Sequence, residues 1–205
     1  MPNRFSSDVA FTAAVKAVQS RRHSRDAYAR LEAQGGFQTA ITPDLVAFLA
    51  EVDTAYLATS NASGQPYAQH RGGPRGFIRV VDDTTLGFVD YAGNRQYVTT
   101  GNLAENDRAF LFLMDYAHRR RIKIWGRARV VEGDPALVRR LMPEGYRARP
   151  EQVVLLQVEA WDVNCPQHIP QKLDAGEVAA TVQALQERVA TLEAENARLR
   201  AARDA

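Results

Sequence analysis

Short strand-like segments joined by tight turns fill the middle of the chain and constrain its fold more than any other feature. Between Thr54 and Arg71, two such segments flank a turn at residues 61–64, which predicts a β-hairpin. Strands linked in this way favour an antiparallel barrel or sandwich, so we expect an α+β protein that is mainly β. The six predicted strands lie at about 54–59, 66–71, 76–81, 85–89, 108–116 and 119–133.

Helical patterns and a last strand surround this region. Thr42, Pro43 and Asp44 form a helix-start signal before an apolar face, and Asp134 and Pro135 form a similar one. A closing strand is predicted from Glu151. We expect three parts: an N-terminal helical segment at 1–36, a strand-rich domain at 37–173 and a C-terminal helix at 174–205.

The C-terminal helix has a heptad pattern. Its a positions are Val182, Val189 and Asn196, and its d positions are Val178, Leu185, Leu192 and Leu199. Branched a residues with leucine at d favour a parallel two-stranded coiled coil, in which an asparagine at a fixes the register. The alternative is a single amphipathic helix that folds back on the protein.

Composition limits the classes of function. The chain has 205 residues, 45% of them hydrophobic, with a net charge of +2, which suits a globular protein and argues against nucleic acid as its partner. One cysteine excludes an internal disulfide. The sequence shows no signal-peptide pattern and no apolar run of membrane-spanning length, so we expect a cytoplasmic protein without a membrane partner.

A candidate anion site follows the strand at 85–89. Gly93, Asn94, Arg95 and Gln96 come between this strand and a helical segment. Backbone N–H groups at a helix start favour a phosphate, and an arginine can bind it with two hydrogen bonds. The alternative is that Asn94 only caps the helix and Arg95 is a solvated charge.

Two strands present further polar residues at a spacing of two. Arg121, Lys123 and Trp125 are predicted on one face of their strand, where they would suit a planar anion or a single-stranded nucleic acid. The alternative is a solvated basic face. On another strand, Gln69 and Arg71 share a face and His70 takes the opposite one.

The sequence assigns no catalytic residue. Cys165 and His168 lack the further ligands that a zinc site needs, so we expect no metal. His70 is a candidate general base, although a single strand histidine more often has a structural role. No glycine-rich dinucleotide motif, Walker loop or defensible Ser-His-Asp spacing is present in the sequence.

Four motifs together resemble the FMN-binding split-barrel proteins related to pyridoxamine 5′-phosphate oxidase. The resemblance extends over about residues 28–173. It implies a six-stranded antiparallel Greek-key barrel that forms a homodimer, with two FMN sites at the dimer interface. The motifs are GQPYAQHRGGPRGF, FVDYAGNRQYVTTGNLAENDRAFLFLMDY, RRRIKIWGRARVVEG and VEAWDVNCPQHIPQ.

The same resemblance implies a set of cofactor-binding residues. One strand would lie along the flavin, the next hairpin would end beside it, and the following turn would bind the phosphate. Arg121 stands where the family commonly has a glutamine, and Trp161 and His168 match positions contributed by the partner subunit. The implied residues are Gln69, His70, Arg71, Gly72, Val89, Asp90, Asn94, Arg95, Gln96, Arg121, Trp161 and His168, to which we add Lys123 as a nearby cation.

Departures from the family pattern bear on activity. Gln96 replaces a phosphate-binding lysine, and Gly73 and Pro74 occupy the place of the lysine that holds the substrate in true pyridoxamine phosphate oxidases. We therefore expect an FMN-dependent oxidoreductase that does not oxidise vitamin B6. The alternative is a non-catalytic flavin or haem sensor that signals through its coiled coil; the sequence does not distinguish FMN from deazaflavin or haem.

Overall fold

The structure, a computed structural model, describes residues 5–163 and 166–203. The chain forms two units. The predicted division into three parts stays a prediction. The first unit consists of Met1–Asp115 and Arg120–Gln167, and the second of Tyr116–Arg119 and His168–Ala205.

An antiparallel sheet makes up most of the first unit. Within the described residues it has seven strands in the order β2-β1-β5-β6-β7-β4-β3. The strands are β1 (Thr54–Ser60), β2 (Pro66–Gly72), β3 (Arg79–Asp82), β4 (Thr85–Tyr91), β5 (Arg108–Asp115), β6 (Arg120–Val131) and β7 (Pro150–Val163).

The expected α+β class with an antiparallel sheet is confirmed, but the expected count of six strands is wrong. The closing strand β7 pairs with β6 on one side and with β4 on the other, so it is an internal strand of the same sheet. The third strand also starts later than predicted. Gly76 has a φ of +75° and its N–H donates to the Val52 carbonyl, which forms a turn before β3 begins at Arg79.

The sheet curls until strands near its two ends meet. β2 is the first strand in the order and β4 is the sixth, yet Arg71 of β2 forms an ion pair with Asp90 of β4. Fully buried side chains from the strands between them, such as Leu57, Leu111 and Ile124, fill the interior. Closure as a Greek-key split barrel stays a prediction, since no pairing of β2 with β3 occurs in the described ranges.

Helices cover parts of this sheet, and local capping explains where they start. The Thr42 hydroxyl accepts a hydrogen bond from the Leu45 N–H, and the helix buries Leu45, Phe48 and Leu49, as the sequence predicts. Asp134 caps a later helix in the same way, through the Leu137 N–H. The helices of this unit are α1 (Ala13–Arg21), α2 (Arg25–Ala33), α3 (Pro43–Glu51), α4 (Val98–Glu105) and α5 (Pro135–Leu141).

The N-terminal segment packs on the outer face of the sheet through aromatic rings. Phe11 makes edge contacts with Tyr28 and Phe37, with centroids 5.0 and 5.2 Å apart. Phe37 in turn stacks on Trp125 of β6 at 5.3 Å. These contacts make the helical start of the chain part of the first unit.

The second unit contains one long helix, α6 (Ala175–Arg203). Asp174 caps it by accepting hydrogen bonds from the N–H groups of Gly176 and Glu177. The segment before the cap is tied to the turn Tyr116–Arg119, where the Gln171 amide donates to the Ala117 carbonyl at 2.8 Å. No helix in the described part of the chain is long and apolar enough to cross a membrane.

Substitution of Gly126 tests the register between β6 and β7. A shift in register occurs between Trp125 and Gly126, and a Cβ added to Gly126 would overlap the carbonyl oxygen of Gln157. We predict that Gly126→Ala lowers the free energy of unfolding by about 3 kcal/mol, at the upper end of overpacking costs. Urea denaturation would measure this change.

The matched control for this substitution is Gly101→Ala. Gly101 lies in α4, and an added Cβ there has open space around it. Alanine should therefore stabilise this helix position by about 0.5–1 kcal/mol. Equal unfolding midpoints for the two variants would contradict the packing described at Gly126.

Candidate functional site

Adjoining cavities lie where β2 meets β4. One has a volume of about 220 Å³ and also borders the loop after β4, the first turn of α4 and the start of β7. The other, of about 180 Å³, extends along β2 toward Gly72 and Phe77. The residues that line both are Gln69, Arg71, Asp90 and Tyr91.

A buried ion pair forms the shared wall of these cavities. The Arg71 guanidinium donates to one oxygen of Asp90, and the Gln152 amide donates to the other at 2.9 Å. The side chains of Arg71 and Asp90 are only 9% and 13% exposed. The same Gln152 nitrogen is 2.9 Å from the Thr100 hydroxyl. This network fixes a cation in one orientation at the cavity wall.

Burial shifts the pKa values of two groups in this wall, Arg71 and Tyr91. It lowers the pKa of Arg71, while the charge of Asp90 opposes this effect. Because the pKa of arginine ordinarily lies far above neutral, Arg71 stays a cation at neutral pH. Burial also raises the pKa of Tyr91, so its hydroxyl keeps its proton and remains a donor.

Polar atoms without partners mark this wall as a binding surface. The Nε of Arg71 and the hydroxyl of Tyr91 are buried, and neither has a hydrogen-bond partner among the described residues. A buried unpaired polar group costs about 1–3 kcal/mol, so such groups are rare in proteins. Both residues line both cavities, where a ligand could accept their hydrogen bonds.

The loop after β4 holds its polar residues at one end of the larger cavity. The Asn94 side chain accepts a hydrogen bond from the Gln96 N–H at 3.2 Å, which closes a local turn. Arg95 and Tyr97 both have positive φ values, of 59° and 54°. The expectation that Asn94 and Arg95 start the helix is therefore wrong, because this turn separates them from α4, which begins at Val98.

Arg95 takes part in a surface chain of polar contacts. Its Nε lies 3.3 Å from the Tyr97 hydroxyl, which donates to a carboxylate oxygen of Glu151 at 2.7 Å. The contact with Tyr97 and the charge of Glu151 raise the pKa of Arg95. All three side chains are exposed and line the larger cavity, so Arg95 is available to an anion that enters it.

The residues of β2 follow the predicted alternation. Gln69 accepts a hydrogen bond from the buried Thr99 hydroxyl at 2.8 Å, which links β2 to α4. His70 points to the other face, where its ring meets the edge of Tyr56 at 5.8 Å. It also limits the space above Gly72, where an added Cβ would lie 2.9 Å from the imidazole. A side chain at this position would collide with His70, which explains the glycine at the end of β2.

Other predicted site residues lie elsewhere. Lys123 forms an ion pair with Asp162 at 2.8 Å, and Arg121 has a buried Nε without a partner among the described residues; neither lines the two cavities. Trp161 belongs to the core and donates to the Ala40 carbonyl at 2.8 Å. His168 is in the second unit. Their contacts with a cofactor stay predictions.

Several residues of the site are hard to identify from the sequence pattern. Tyr91, Thr99, Thr100, Glu151 and Gln152 line the larger cavity, and sequence reasoning missed all of them. Gln152 is the one that the sequence pattern could have indicated, because it directly precedes the apolar run of β7. In the structure its side chain is buried, with only 4% of the residue exposed. Its position opposite Asp90 depends on the pairing of β4 with β7.

A larger depression of about 730 Å³ lies elsewhere in the first unit, bordered by Asp8 and by residues of β1, β5, β6 and β7. Arg127 on its rim is paired with both Asp107 and Glu159. We place the functional site instead at the Arg71 cavities, whose lining residues Arg71 and Tyr91 have buried polar atoms without partners among the described residues. Among the described residues, no group of three His, Cys, Asp or Glu side chains could hold a metal ion, and Cys165 lies outside them.

Comparison with known proteins identifies the family. A sequence model described as pyridoxamine 5′-phosphate oxidase matches residues 41–165, which include every residue of the Arg71 cavities. The chain belongs to the pyridoxamine 5′-phosphate oxidase family. The search of curated proteins gave no match.

Solved structures of similar proteins were also found. HupZ from Group A Streptococcus is 21% identical, with 65% of this chain and 99% of that chain covered and a TM-score of 0.49. A putative pyridoxamine 5′-phosphate oxidase from Lactobacillus delbrueckii is 22% identical, with 61% and 95% covered and a TM-score of 0.46. An FMN-binding protein from Syntrophomonas wolfei is 8% identical, with 75% and 98% covered and a TM-score of 0.47.

The ion pair in this family member can be tested by removing one partner. We predict that Asp90→Ala lowers the free energy of unfolding by about 3–5 kcal/mol, because it leaves the Arg71 charge buried and unpaired. The double variant Arg71→Met with Asp90→Leu should recover much of this loss. Urea denaturation measures both changes.

Asp107→Ala is the matched control for the loss of a carboxylate. Asp107 pairs with Arg127, but both side chains are nearly half exposed, so removal of the carboxylate should shift the unfolding midpoint only slightly. An Asp90→Ala variant as stable as Asp107→Ala would show that the buried pair does not exist in solution.

Proposed function

We propose that this chain is a flavoprotein that binds FMN in the Arg71 cavities and acts as an oxidoreductase other than a pyridoxamine phosphate oxidase. The observation that carries this proposal is the buried Arg71 of the cavity wall, which is held by Asp90 and whose Nε has no partner among the described residues. Family membership supports FMN as the ligand, since the family resemblance implies this cofactor for these strands.

The residues of the cavities suit the two ends of FMN. Asn94, Arg95 and the hydroxyls of Thr99 and Thr100 would hold the phosphate, since all four residues line the larger cavity. The strand from Gln69 to Gly72 would lie beside the ring system, since all four of its residues line the smaller cavity.

FMN, when bound, supplies the transfer of hydride or electrons, and the protein orients it and tunes its potential. Arg71 would place a fixed positive charge in the cavity and donate its free Nε–H to the ligand. Tyr91 would donate its protonated hydroxyl from the same wall. Within this chain, Arg71 is a better candidate than Lys123 for the cation that tunes the flavin, because Arg71 lines both cavities and Lys123 lines neither.

We also propose that two copies form a dimer through the outer face of the sheet. Tyr56 is 37% exposed there, and Phe110, Phe112 and Trp125 on neighbouring strands are half-buried. An aromatic surface of this kind is typical of a protein interface. In such a dimer, as the family resemblance implies, Trp161 and His168 would contact the partner's cofactor.

A second candidate is a non-catalytic flavin or haem sensor that signals through its C-terminal helix. The observation that favours it is α6, in which none of the residues is buried. Turnover with a reduced nicotinamide distinguishes the candidates, because an oxidoreductase should turn over repeatedly and a sensor should be slow. We propose the oxidoreductase first because the Arg71 cavities belong to the first unit, which does not include α6.

The first experiment identifies the cofactor. We expect the purified, untagged protein to show a flavin absorption spectrum and to release FMN on denaturation, as identified by mass. Arg95→Ala should weaken FMN binding roughly tenfold to a hundredfold, because a charge-assisted hydrogen bond to the phosphate is lost. Fluorescence titration of the FMN-free protein measures this change.

Arg30→Ala is the matched control, since Arg30 is an exposed arginine on α2 outside both cavities. It should leave the FMN affinity unchanged. Equal affinities of the Arg95→Ala and Arg30→Ala variants would remove the phosphate assignment. A colourless protein that also fails to take up added FMN would remove the flavin proposal altogether.

Truncation before Glu177 tests the proposed dimer. This change removes nearly all of α6 and leaves the sheet intact. We expect the shortened protein to remain a dimer in sedimentation equilibrium, because the aromatic face of the sheet persists. A monomeric product would contradict a dimer formed through the sheet.

A further inference from the structure

Helix α6 carries an apolar stripe that nothing in the described chain covers. Its 29 residues include no buried residue. The a and d side chains identified from the sequence are 42–65% exposed, from Val178 at one end to Leu199 at the other. A helix gains most of its stability from packing one apolar face, so a stripe of this length calls for a partner.

We propose that this partner is α6 of a second copy of the chain, in a parallel and in-register two-stranded coiled coil. The pattern along the stripe supports two strands, because valine occupies a at 182 and 189 while leucine occupies d at 185, 192 and 199. This pairing concerns the second unit and does not depend on the proposed flavin site.

Charges beside the stripe support pairing between identical helices. In a parallel pair, a g residue faces the e residue five positions later on the other helix. Arg188 would face Glu193 of the second copy, and Glu195 would face Arg200 of the second copy. Both contacts occur twice by symmetry, and all of them join opposite charges.

Asn196 favours a parallel over an antiparallel pair of α6 helices. In the parallel arrangement, Asn196 at an a position faces its own copy, and the two amides can hydrogen-bond to each other. The antiparallel arrangements that best overlap the stripe pair position 196 with position 185 or with position 178, which would bury the Asn196 amide against Leu185 or Val178. An unpaired amide in an apolar layer is costly, so the parallel arrangement is favoured.

The start of the helix is fixed within the second unit. Asp174 caps α6, and Lys172 just before it contacts Tyr116 through its backbone N–H and through its ammonium group, 4.4 Å from the ring centroid. Two identical chains would therefore begin their helices from identical, ordered ends. Because both helices begin after the same residue, Asp174, a parallel pair can start in register.

Cysteine cross-linking in the full-length protein tests the proposal. Cys165, the one native cysteine, is replaced by serine, and Leu185→Cys and Leu199→Cys are made separately in this background. Each new cysteine should face its own copy in the parallel coil and form an interchain disulfide under mild oxidation. We expect each variant to cross-link at least roughly tenfold faster than the control Ala194→Cys.

Ala194 is a matched control because it lies on the same helix at position f, on the side away from the stripe. Chance collisions within any dimer would link all three variants equally, and this result would overturn the proposal. Linkage that appears only when Leu185→Cys chains are mixed with Asn196→Cys chains would show an antiparallel coil. No linkage at all would show that α6 folds back or binds another protein.

The same samples separate this inference from the proposed function. Flavin content is measured from the absorption spectrum before oxidation. A protein that contains no flavin and takes up no added FMN, but still cross-links at positions 185 and 199, would refute the flavin site and leave the coil intact. A protein with flavin that does not cross-link would refute the coil and leave the flavin site intact.

Discussion

The ion pair between Arg71 and Asp90 is the interaction on which the site depends. It joins the first and sixth strands in the order of the sheet, and so it bridges two parts of the fold that sheet pairing keeps apart. A buried pair of this kind contributes little net stability compared with apolar packing, but loss of one partner is costly. Its main effect is therefore geometric: it fixes where β2 and β4 meet and where the cavities form.

The sequence predicts much of the sheet because strand alternation and turn residues are local signals. The cap at Thr42, the hairpin around residues 61–64 and the shared face of Gln69 and Arg71 all follow from neighbours in the chain. The count of six was wrong because the closing strand, although predicted, was not assigned to this sheet. Its place between β6 and β4 depends on distant pairing. A periodic pattern identifies a strand, but it does not identify the neighbours of that strand.

The missed site residues have the same physical cause. Gln152 lies opposite Asp90 only because β4 pairs with β7, and the two residues are 62 positions apart in the chain. Thr99 reaches Gln69 only because α4 packs beside β2. The turn at 94–97 was predicted as a helix start because its two left-handed residues, Arg95 and Tyr97, are of types that rarely adopt this conformation.

The unpaired Nε of Arg71 has a consequence for the amount of protein in a cell. A ligand that binds only the folded state stabilises it by an amount that grows with the ratio of ligand concentration to Kd. A chain that leaves a buried donor without a partner is less stable empty than occupied. Since cellular proteases remove unfolded chains, the abundance of this protein would follow the supply of whatever fills the cavity.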